Sequence, residues 1–363
     1  MASRDDLLEL HEPEGAFGRL EAWLRERGFF SPGGEELFAE LYLGYGLSQT
    51  IRRRSTPPPE EPCALPLAAC RSGRGEATLV AQSHKGFRVG EWERTWSATD
   101  YAAAVEAVRD AIARGDVYQV NLVQHLSAPF AGDPRALAAA LAPLRPLHPE
   151  PFVGDGFAVA SASPELFLSR RGDVIRTKPI KGTRPLGEPV GELRASEKDV
   201  AEHVMIVDLE RNDLSRVCRA GSVRWPELMA TGELAGVEHM VSTVEGTLRE
   251  GVGLAEILEA TFPGGSVTGA PKIAAVDLIA DLEPVGRGAS MGALGHVYGN
   301  GDLELALTIR TFAVVDGRIH LWVGGGVVWD SDPAAEVEES WTKARPLLAA
   351  IGAPVRIVAG SRG

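Results

Sequence analysis

The spacing of apolar residues along the chain predicts a series of helices. In "YAAAVEAVRDAIAR" (101–114), Ala, Val and Ile recur every three or four positions, and a glycine at 115 follows as a stop signal. The same kind of reasoning predicts helices over 4–28, 196–217, 253–260, 271–282 and 333–348.

Other stretches alternate between apolar and polar residues, as half-buried β-strands do. They are "VYQVNLVQHL" (117–126), "FAVASASPELFLSRRGDVIRTKPIKGTRPLG" (157–187, with "RRGD" as a hairpin turn) and "LELALTIRTFAVVDGRIHLWVGGGVV" (303–328). Because strands are grouped with strands and helices with helices, the sequence predicts an α+β fold with mainly antiparallel sheets. "RRRSTPPPEEP" (52–62) joins like charges to three consecutive prolines and predicts an exposed connection.

Composition and charge narrow the class of partner. The chain has 363 residues, of which 44% are hydrophobic and 24% charged, as in a globular protein. A net charge of -13 without a basic stripe argues against a nucleic-acid or an anionic-membrane surface, so we expect a small-molecule substrate. The start, "MASRDDLLEL", lacks the features of a secretory signal, and no apolar run approaches the ~20 residues that span a bilayer. We therefore expect a cytoplasmic protein.

The three cysteines predict neither a disulfide framework nor a metal site. Cys63, Cys70 and Cys218 are odd in number and lack the spacing of zinc ligands.

A glycine-rich segment, "FPGGSVTGAPK" (262–272), has the glycine spacing of a P-loop but not its chemistry. Ala270 and Pro271 stand where a P-loop has Lys and Ser or Thr. What remains is a turn that opens a helix. Its free N–H groups are able to bind an anion such as a carboxylate. Alternatively, the segment is an ordinary transition from a loop to a helix.

Several acids and a histidine are weak signals when taken singly. Glu336, Glu339 and Lys343 share one face of the last helix, as a functional site or a solvated face does. The preceding "GGG" favours a site, since glycines let a backbone approach something closely. Glu202 lies near the start of its helix, where a carboxylate also suits the helix dipole. Glu165 and His239 are each compatible with an ordinary structural role.

Taken in order, the motifs resemble those of the chorismate-utilising enzymes. They are "GDVYQVNL", "SASPELF", "PIKGTRPLG", "EKDVAEHVMIVDLERNDLSRV", "VEHMVSTVEGTL", "FPGGSVTGAPK", "ALTIRTF" and "GGGVVWDSDPAAEVEESWTKA", and they span about Tyr101 to Leu348. This family contains anthranilate synthase component I, aminodeoxychorismate synthase component I, and the isochorismate and salicylate synthases. The resemblance implies two large antiparallel sheets packed as a sandwich with helices outside, and a magnesium-dependent site. It also implies a shortened amino-terminal region (1–95) that contributes to the sandwich and a chorismate-binding catalytic domain (96–358).

The resemblance implies a role for each matching position. The acidic Mg²⁺ shell would be Glu202, Glu336 and Glu339, which suits an ion that prefers oxygen ligands and can bridge carboxylates to an anionic substrate. Glu165 resembles the general acid that protonates the departing ring hydroxyl, and His239 the histidine that lines the ring pocket. The contacts to the substrate carboxylates would be Arg310 and Lys343, assisted by backbone N–H groups near Gly182, Thr183 and Gly326.

Two positions separate the members of the family. Gln119 stands where the isochorismate and salicylate synthases have a lysine that activates water, and a glutamine cannot act as a base. Lys181, in "PIKGT", stands where anthranilate synthases have alanine. The lysine resembles aminodeoxychorismate synthase component I, in which this amine attacks the substrate.

The implied ammonia source is a partner. "EPCAL", "AACRS" and "RVCRA" lack the glycine elbow of a glutaminase cysteine, so we expect a separate glutamine amidotransferase subunit. The chain ends soon after its last predicted helix, so no added lyase domain is expected. A rival of another class is a catalytically silent chorismate-binding regulatory subunit. It would be expected to have lost acids that this sequence keeps.

Overall fold

A computed structural model describes residues 6–75, 86–185, 197–234, 237–353 and 357–359. Its helices are α1 (Ala16–Glu26), α2 (Ala98–Ala113), α3 (Pro134–Leu141), α4 (Glu197–Ser215), α5 (Leu254–Thr261), α6 (Lys272–Leu282) and α7 (Pro333–Ala350), with 3₁₀ turns at Tyr45–Ile51, Ala142–Leu144 and Gly265–Val267. The strands are β1 (Leu7–Leu10), β2 (Leu37–Leu43), β3 (Ala68–Arg74), β4 (Phe87–Val89), β5 (Trp92–Arg94), β6 (Gln119–Gly132), β7 (Phe152–Val153), β8 (Phe157–Ser161), β9 (Leu166–Arg171), β10 (Val174–Lys178), β11 (Ile180–Pro185), β12 (Arg224–Leu234), β13 (Val237–Thr247), β14 (Gly269–Ala270), β15 (Ala293–Tyr298), β16 (Leu303–Leu307), β17 (Thr311–Val315), β18 (Arg318–Val327) and β19 (Ile357–Ala359).

The described strands form two large sheets. The first has the order β1-β3-β2-β15-β16-β9-β10-β13-β11, with β12 also paired to β13. The second has the order β19-β5-β6-β18-β17-β8-β7, with β4 and β14 paired to β6. All pairs are antiparallel except β19 with β5. The predicted α+β class, with two mainly antiparallel sheets and helices outside, is confirmed.

Two apolar cores hold these layers together. One contains side chains from both sheets, including Leu41 of β2, Leu305 of β16 and Trp322 of β18. The other packs α3 and α7 onto the second sheet, with Leu137 and Leu347 against its apolar residues. This second core fixes α7, and therefore its acidic residues, over one sheet face.

Two predictions of local structure were wrong. The expected helix over 4–28 is a strand followed by a shorter helix: β1 pairs with β3, and α1 starts only after Gly15, which has a left-handed φ of 64°. Residues 157–187 are not one set of adjacent hairpin strands. The β9–β10 hairpin forms around the expected turn, but β8 pairs with β17 in the other sheet. Residues 52–62 contain no regular helix or strand, as expected of a connection.

Two of the places where the described chain passes from one sheet to the other lie side by side. One crossover runs from β8 to β9 and the other from β16 to β17. Their backbones bond to each other: Ala162 N donates to Arg310 O at 3.0 Å, and Leu307 N donates to Glu165 O at 3.0 Å. The hydroxyls of Ser161 and Thr311 lie 2.7 Å apart. These bonds fix the positions of Glu165 and Arg310.

A buried ion pair ties α6 to the start of β6. Arg287 is 1% exposed and its Nη2 lies 2.7 Å from Glu283 Oε1. The same guanidinium donates to Asn121 O at 2.7 Å and to Val267 O at 2.9 Å. Because a buried charge must be paired and hydrogen-bonded, this arrangement holds β6 and the glycine-rich loop in one position. Among the described helices, none combines the length and apolar character needed to cross a membrane.

Candidate functional site

The glycines at the end of β18 open a pit toward α7. A Cβ atom placed on Gly325 would lie 3.1 Å from Glu339 Oε1 and 3.2 Å from Lys343 Nζ. It would lie 3.3 Å from Glu336 Oε2. Lys343 Nζ lies 2.7 Å from Glu339 Oε1 and donates to Gly324 O at 2.9 Å. The structure thus brings together the three residues predicted to share a helix face; with Gly325 they form what we call the Gly325 pit.

Glu336 is the buried carboxylate of this pit. Glu336 is 5% exposed, and Ser331 Oγ donates to its Oε1 at 2.6 Å. It lies in the first turn of α7, which Asp332 caps by accepting from Ala335 N at 2.9 Å. Glu336 therefore lies at a helix amino terminus, where the backbone N–H groups favour a negative charge.

Gln119 faces the next glycine with its amide unsatisfied. A Cβ atom on Gly326 would lie 2.2 Å from Gln119 Nε2, so the glycine makes room for this side chain. Gln119 is 0% exposed, and neither amide atom has a hydrogen-bond partner among the described residues. Since buried polar groups are normally satisfied, an orphan amide beside the pit marks a place where a ligand would bond.

Glu165 lies on the first crossover, where its carboxyl group is buried. It is 4% exposed; Ser266 Oγ donates to its Oε1 at 2.7 Å, and Ile180 N lies 3.5 Å from the same oxygen. Burial raises the pKa of Glu165, and the charges of Lys181 and Arg310 act against that rise. A raised pKa favours the protonated carboxyl, which is the form a general acid needs.

Arg310 lies on the second crossover. Its φ of 51° places a non-glycine residue in the left-handed region, which is uncommon and marks a constrained backbone. Burial lowers the pKa of its guanidinium, and the Glu165 charge opposes this. We call Glu165, Lys181 and Arg310 the crossover site.

Lys181 lies on β11, where it pairs with Met240 of β13. Its charge lowers the pKa of Glu165 and also that of His203, so it lies within electrostatic reach of both. His203 is fully buried on α4, with Nε2 2.5 Å from Ser242 Oγ, and burial, with Lys181, lowers its pKa to about 4. The imidazole near Lys181 is therefore neutral at pH 7.

The backbone after Lys181 leaves the regular ladder. The register of β11 against β13 shifts between Lys181 and Arg184, as at a β-bulge. Gly182 and Thr183 lie within this shift. Bulges are common next to functional sites, where they re-aim backbone and side chains.

His239 lies apart from the groups described so far. It lines an open cavity of about 880 Å³ together with Val241, Thr243 and Glu245 of the same strand. Alternate residues of a strand share one face, so these four lie on the face opposite to Met240, the cross-strand partner of Lys181. The structure does not bring His239 and Lys181 onto one face of the sheet.

The acidic residues assigned to Mg²⁺ are gathered in part. Glu336 and Glu339 converge on the Gly325 pit, and carboxylate oxygens are the donors that Mg²⁺ prefers. Within the described ranges, no group of three or more His, Cys, Asp or Glu side chains is placed to hold a metal ion, so Glu202 does not complete a cluster with these two. Two carboxylates fit a Mg²⁺ ion that keeps several waters and completes its shell with an anionic ligand.

Sequence reasoning missed the hydroxyl groups that position these acids. Ser266 holds Glu165, and Ser331 holds Glu336. A serine inside a glycine-rich loop was a usable signal for Ser266, because the glycines bring the loop close to other backbone. Nothing local marks Ser331 as a partner of a residue on the following helix.

Comparison with known proteins places this geometry in a family. The family model for chorismate binding enzymes matches residues 46–349. Anthranilate synthase component 1 of Streptomyces coelicolor is 40% identical over 79% of this chain and 57% of its own length. Aminodeoxychorismate synthase component 1 of Bacillus subtilis is 39% identical over 73% of this chain and 58% of its own length. The match thus spans less than two thirds of the length of either relative.

A solved structure agrees with the sequence comparison. The crystal structure of anthranilate synthase component I from Streptococcus pneumoniae superposes with a TM-score of 0.75 and 26% identity, covering 85% of this chain and 80% of that one. The fold, the order of the motifs and these similarities lead to one conclusion: the chain belongs to the family of chorismate binding enzymes.

Proposed function

We propose that this protein is the large subunit of an aminodeoxychorismate synthase, which converts chorismate and ammonia to 4-amino-4-deoxychorismate, the precursor of 4-aminobenzoate and folate. Relatives with this name and relatives named anthranilate synthase are almost equally similar in sequence, so overall identity does not separate the two activities. The observation that carries the proposal is Lys181, which lies within electrostatic reach of the buried acid Glu165.

The substrate would lie between the crossover site and the Gly325 pit. Chorismate is a dicarboxylate, and Arg310 and Lys343 are the cations available to its two carboxylates, with the backbone near Gly182, Thr183 and Gly326 as further donors. Glu336 and Glu339, with Glu202 as a third candidate, would hold Mg²⁺. A Mg²⁺ ion held there would supply the positive charge that lets these acids lie close to an anionic substrate.

Lys181 and Glu165 would carry the first chemical step. The nitrogen of Lys181 adds through its lone pair to carbon two of the ring while Glu165 gives its proton to the hydroxyl on carbon four, which leaves as water. Ammonia then adds at carbon four, and the Lys181 nitrogen departs from carbon two. Glu165 regains a proton before the next turnover.

The position of Gln119 argues against the members of the family that add water to the ring. An isochorismate or salicylate synthase needs a base at this position, and an amide cannot accept a proton at neutral pH. Gln119 would instead bond the substrate or the incoming ammonia through its unsatisfied amide. We also propose that ammonia comes from a glutamine amidotransferase subunit, and that the pair works in the cytoplasm. His239 would contact the ring only if the strand that carries it changes its local register.

The test is product identification. Purified protein is incubated with chorismate, Mg²⁺ and an ammonium salt, and the product is identified by mass and ultraviolet spectrum. We expect aminodeoxychorismate with ammonium and no product with glutamine alone. Anthranilate as the main product would assign the chain to the other amine-forming class, and binding of chorismate without turnover would favour a regulatory subunit.

A further inference from the structure

A second buried carboxyl lies behind the proposed general acid. Glu210 of α4 is 6% exposed, and Thr177 Oγ1 of β10 donates to its Oε2 at 2.8 Å. On its other side, a Cβ atom on Gly265 would lie 3.3 Å from Glu210 Cγ. Glu210 therefore contacts both β10 and the glycine-rich loop.

These two contacts adjoin the two donors that hold Glu165. Ser266, whose hydroxyl donates to Glu165 Oε1, follows Gly265 directly. Ile180, whose N–H points at the same oxygen, comes three residues after Thr177 along the same segment. A shift of Glu210 would therefore reach Glu165 through both of its supports.

Burial and the neighbouring carboxylates favour the neutral form of Glu210. Burial raises its pKa to about 8, with the Glu165 carboxylate as the next cause, and Asp213 also raises it. The Thr177 hydroxyl and Lys272 oppose this rise. Lys272 of α6 is already bound to Asp213, with Nζ 2.5 Å from Oδ2, and it also donates to two loop carbonyls.

We propose that Glu210 is a positioning residue for the acid Glu165: its carboxyl holds Thr177 and supports Gly265, so that the Ser266 hydroxyl and the Ile180 N–H stay aimed at Glu165. The proposal rests on the proposed function only for the role of Glu165. Ionisation of Glu210 would place a negative charge behind Glu165 and repel a dicarboxylate substrate.

Three variants separate positioning from mere filling of space. Glu210→Gln keeps the shape and the acceptor for Thr177 but cannot ionise, Glu210→Leu keeps much of the volume without an acceptor, and Thr177→Val removes the donor. Chorismate consumption is followed from pH 6 to 10 with Mg²⁺ present and free ammonia held constant.

We expect Glu210→Gln to match the wild type near pH 7 and to lose rate less steeply at alkaline pH, because one of two ionisations is gone. We expect Glu210→Leu and Thr177→Val to lower kcat by about tenfold to 10²-fold with a smaller change in KM.

An alkaline limb of Glu210→Gln that coincides with the wild-type limb would overturn the proposal, and so would a fully active Glu210→Leu. Because consumption is scored whatever the product, a wild type that makes anthranilate would refute the proposed function and still test Glu210.

A thermal measurement tests the neutral carboxyl without any activity. A carboxyl whose folded pKa is raised costs stability progressively as the pH rises from its unfolded value to about 8. The Tm of Glu210→Gln relative to the wild type should therefore climb from pH 5 to pH 8. A difference that does not change with pH would contradict a neutral Glu210.

Discussion

The Gly325 pit and the crossover site contain similar charged groups in opposite settings. In the pit, Glu339 and Lys343 form an ion pair in which both side chains keep much of their exposure to solvent. At the crossover, Glu165 and Arg310 are largely buried. Burial raises the pKa of Glu165 and lowers that of Arg310, and both shifts favour the neutral form. Groups that stay charged suit the binding of an ion or an anionic substrate, whereas a carboxyl driven toward neutrality suits proton transfer. The contrast supports the proposal that the Gly325 pit serves binding, with Arg310 assisting from the crossover, and that proton transfer belongs to Glu165 at the junction between the sheets.

The largest effect should come from removing the proposed nucleophile. Lys181→Ala should lower aminodeoxychorismate formation by at least ~10⁴-fold, the order seen when an active-site nucleophile is lost. Chorismate binding with Mg²⁺ should persist, because the Gly325 pit is untouched; calorimetric titration measures it. Lys181→Arg is the matched control, since it keeps the charge and removes the nucleophilic amine. Wild-type rate and product in the Arg variant would leave Lys181 with an electrostatic role alone.

Glu165→Gln should abolish proton donation and leave the shape of the crossover intact. We expect a loss of about 10²-fold to 10⁴-fold in kcat, the usual contribution of a general acid, with KM little changed. Stopped-flow measurement at saturating chorismate separates the two constants. A loss confined to KM would move Glu165 from chemistry to binding and remove the contrast between the two regions.

Gly326→Ala should act on the junction between the two regions. The new Cβ would collide with Gln119 Nε2 at 2.2 Å, and the flexible amide must move away, so the chain should still fold. We expect kcat/KM to fall by about tenfold to 10²-fold. Gly18→Ala is the matched control: it lies within α1 with nothing within 4 Å of the new atom, and it should raise stability by ~0.5–1 kcal/mol without changing the rate.

The smallest effects should distinguish the two carboxylates of the Gly325 pit. Glu336→Gln removes a buried, hydrogen-bonded charge and should weaken Mg²⁺-dependent chorismate binding by more than about tenfold. Glu339→Gln removes one partner of an exposed ion pair, and the free energy of the same binding should weaken by less than about 1 kcal/mol. Titration with Mg²⁺ at fixed chorismate compares them. Equal losses would mean that the exposed and the buried carboxylate contribute equally to holding the ion.

The sequence predicted elements well where the local pattern decides and less well where a distant partner does. The helix over 98–113 follows from its apolar period and from Ser97, whose hydroxyl accepts from Asp100 N as a cap. The strand at Leu7–Leu10 is an edge strand that exists because β3, around Cys70, pairs with it, and β3 is itself held by β2 at Leu41. No window of 25 residues contains that information. For the same reason, β8 could not be assigned to its sheet from its alternation.

The candidate site shows the same division. The sharing of a helix face by Glu336, Glu339 and Lys343 is a property of helical geometry and was predictable. The opposite orientation of His239 and Lys181 depends on the register of β11 against β13, and one residue of slippage would reverse it. Thr177 and Glu210 escaped notice because each is unremarkable in its own element. Their pairing across 33 positions is visible only in three dimensions.

The paired crossovers also determine when the acid can acquire its environment. The Ser161–Thr311 bond closes a separation of 150 residues, so it is among the contacts of high contact order that form late in folding. Glu165 therefore reaches its buried position only after most of the chain has been synthesised and both sheets have assembled. A fragment that ends before Thr311 cannot form this bond, so we expect its Glu165 to lose the burial that raises its pKa, and the titration of Glu165 then reports complete folding.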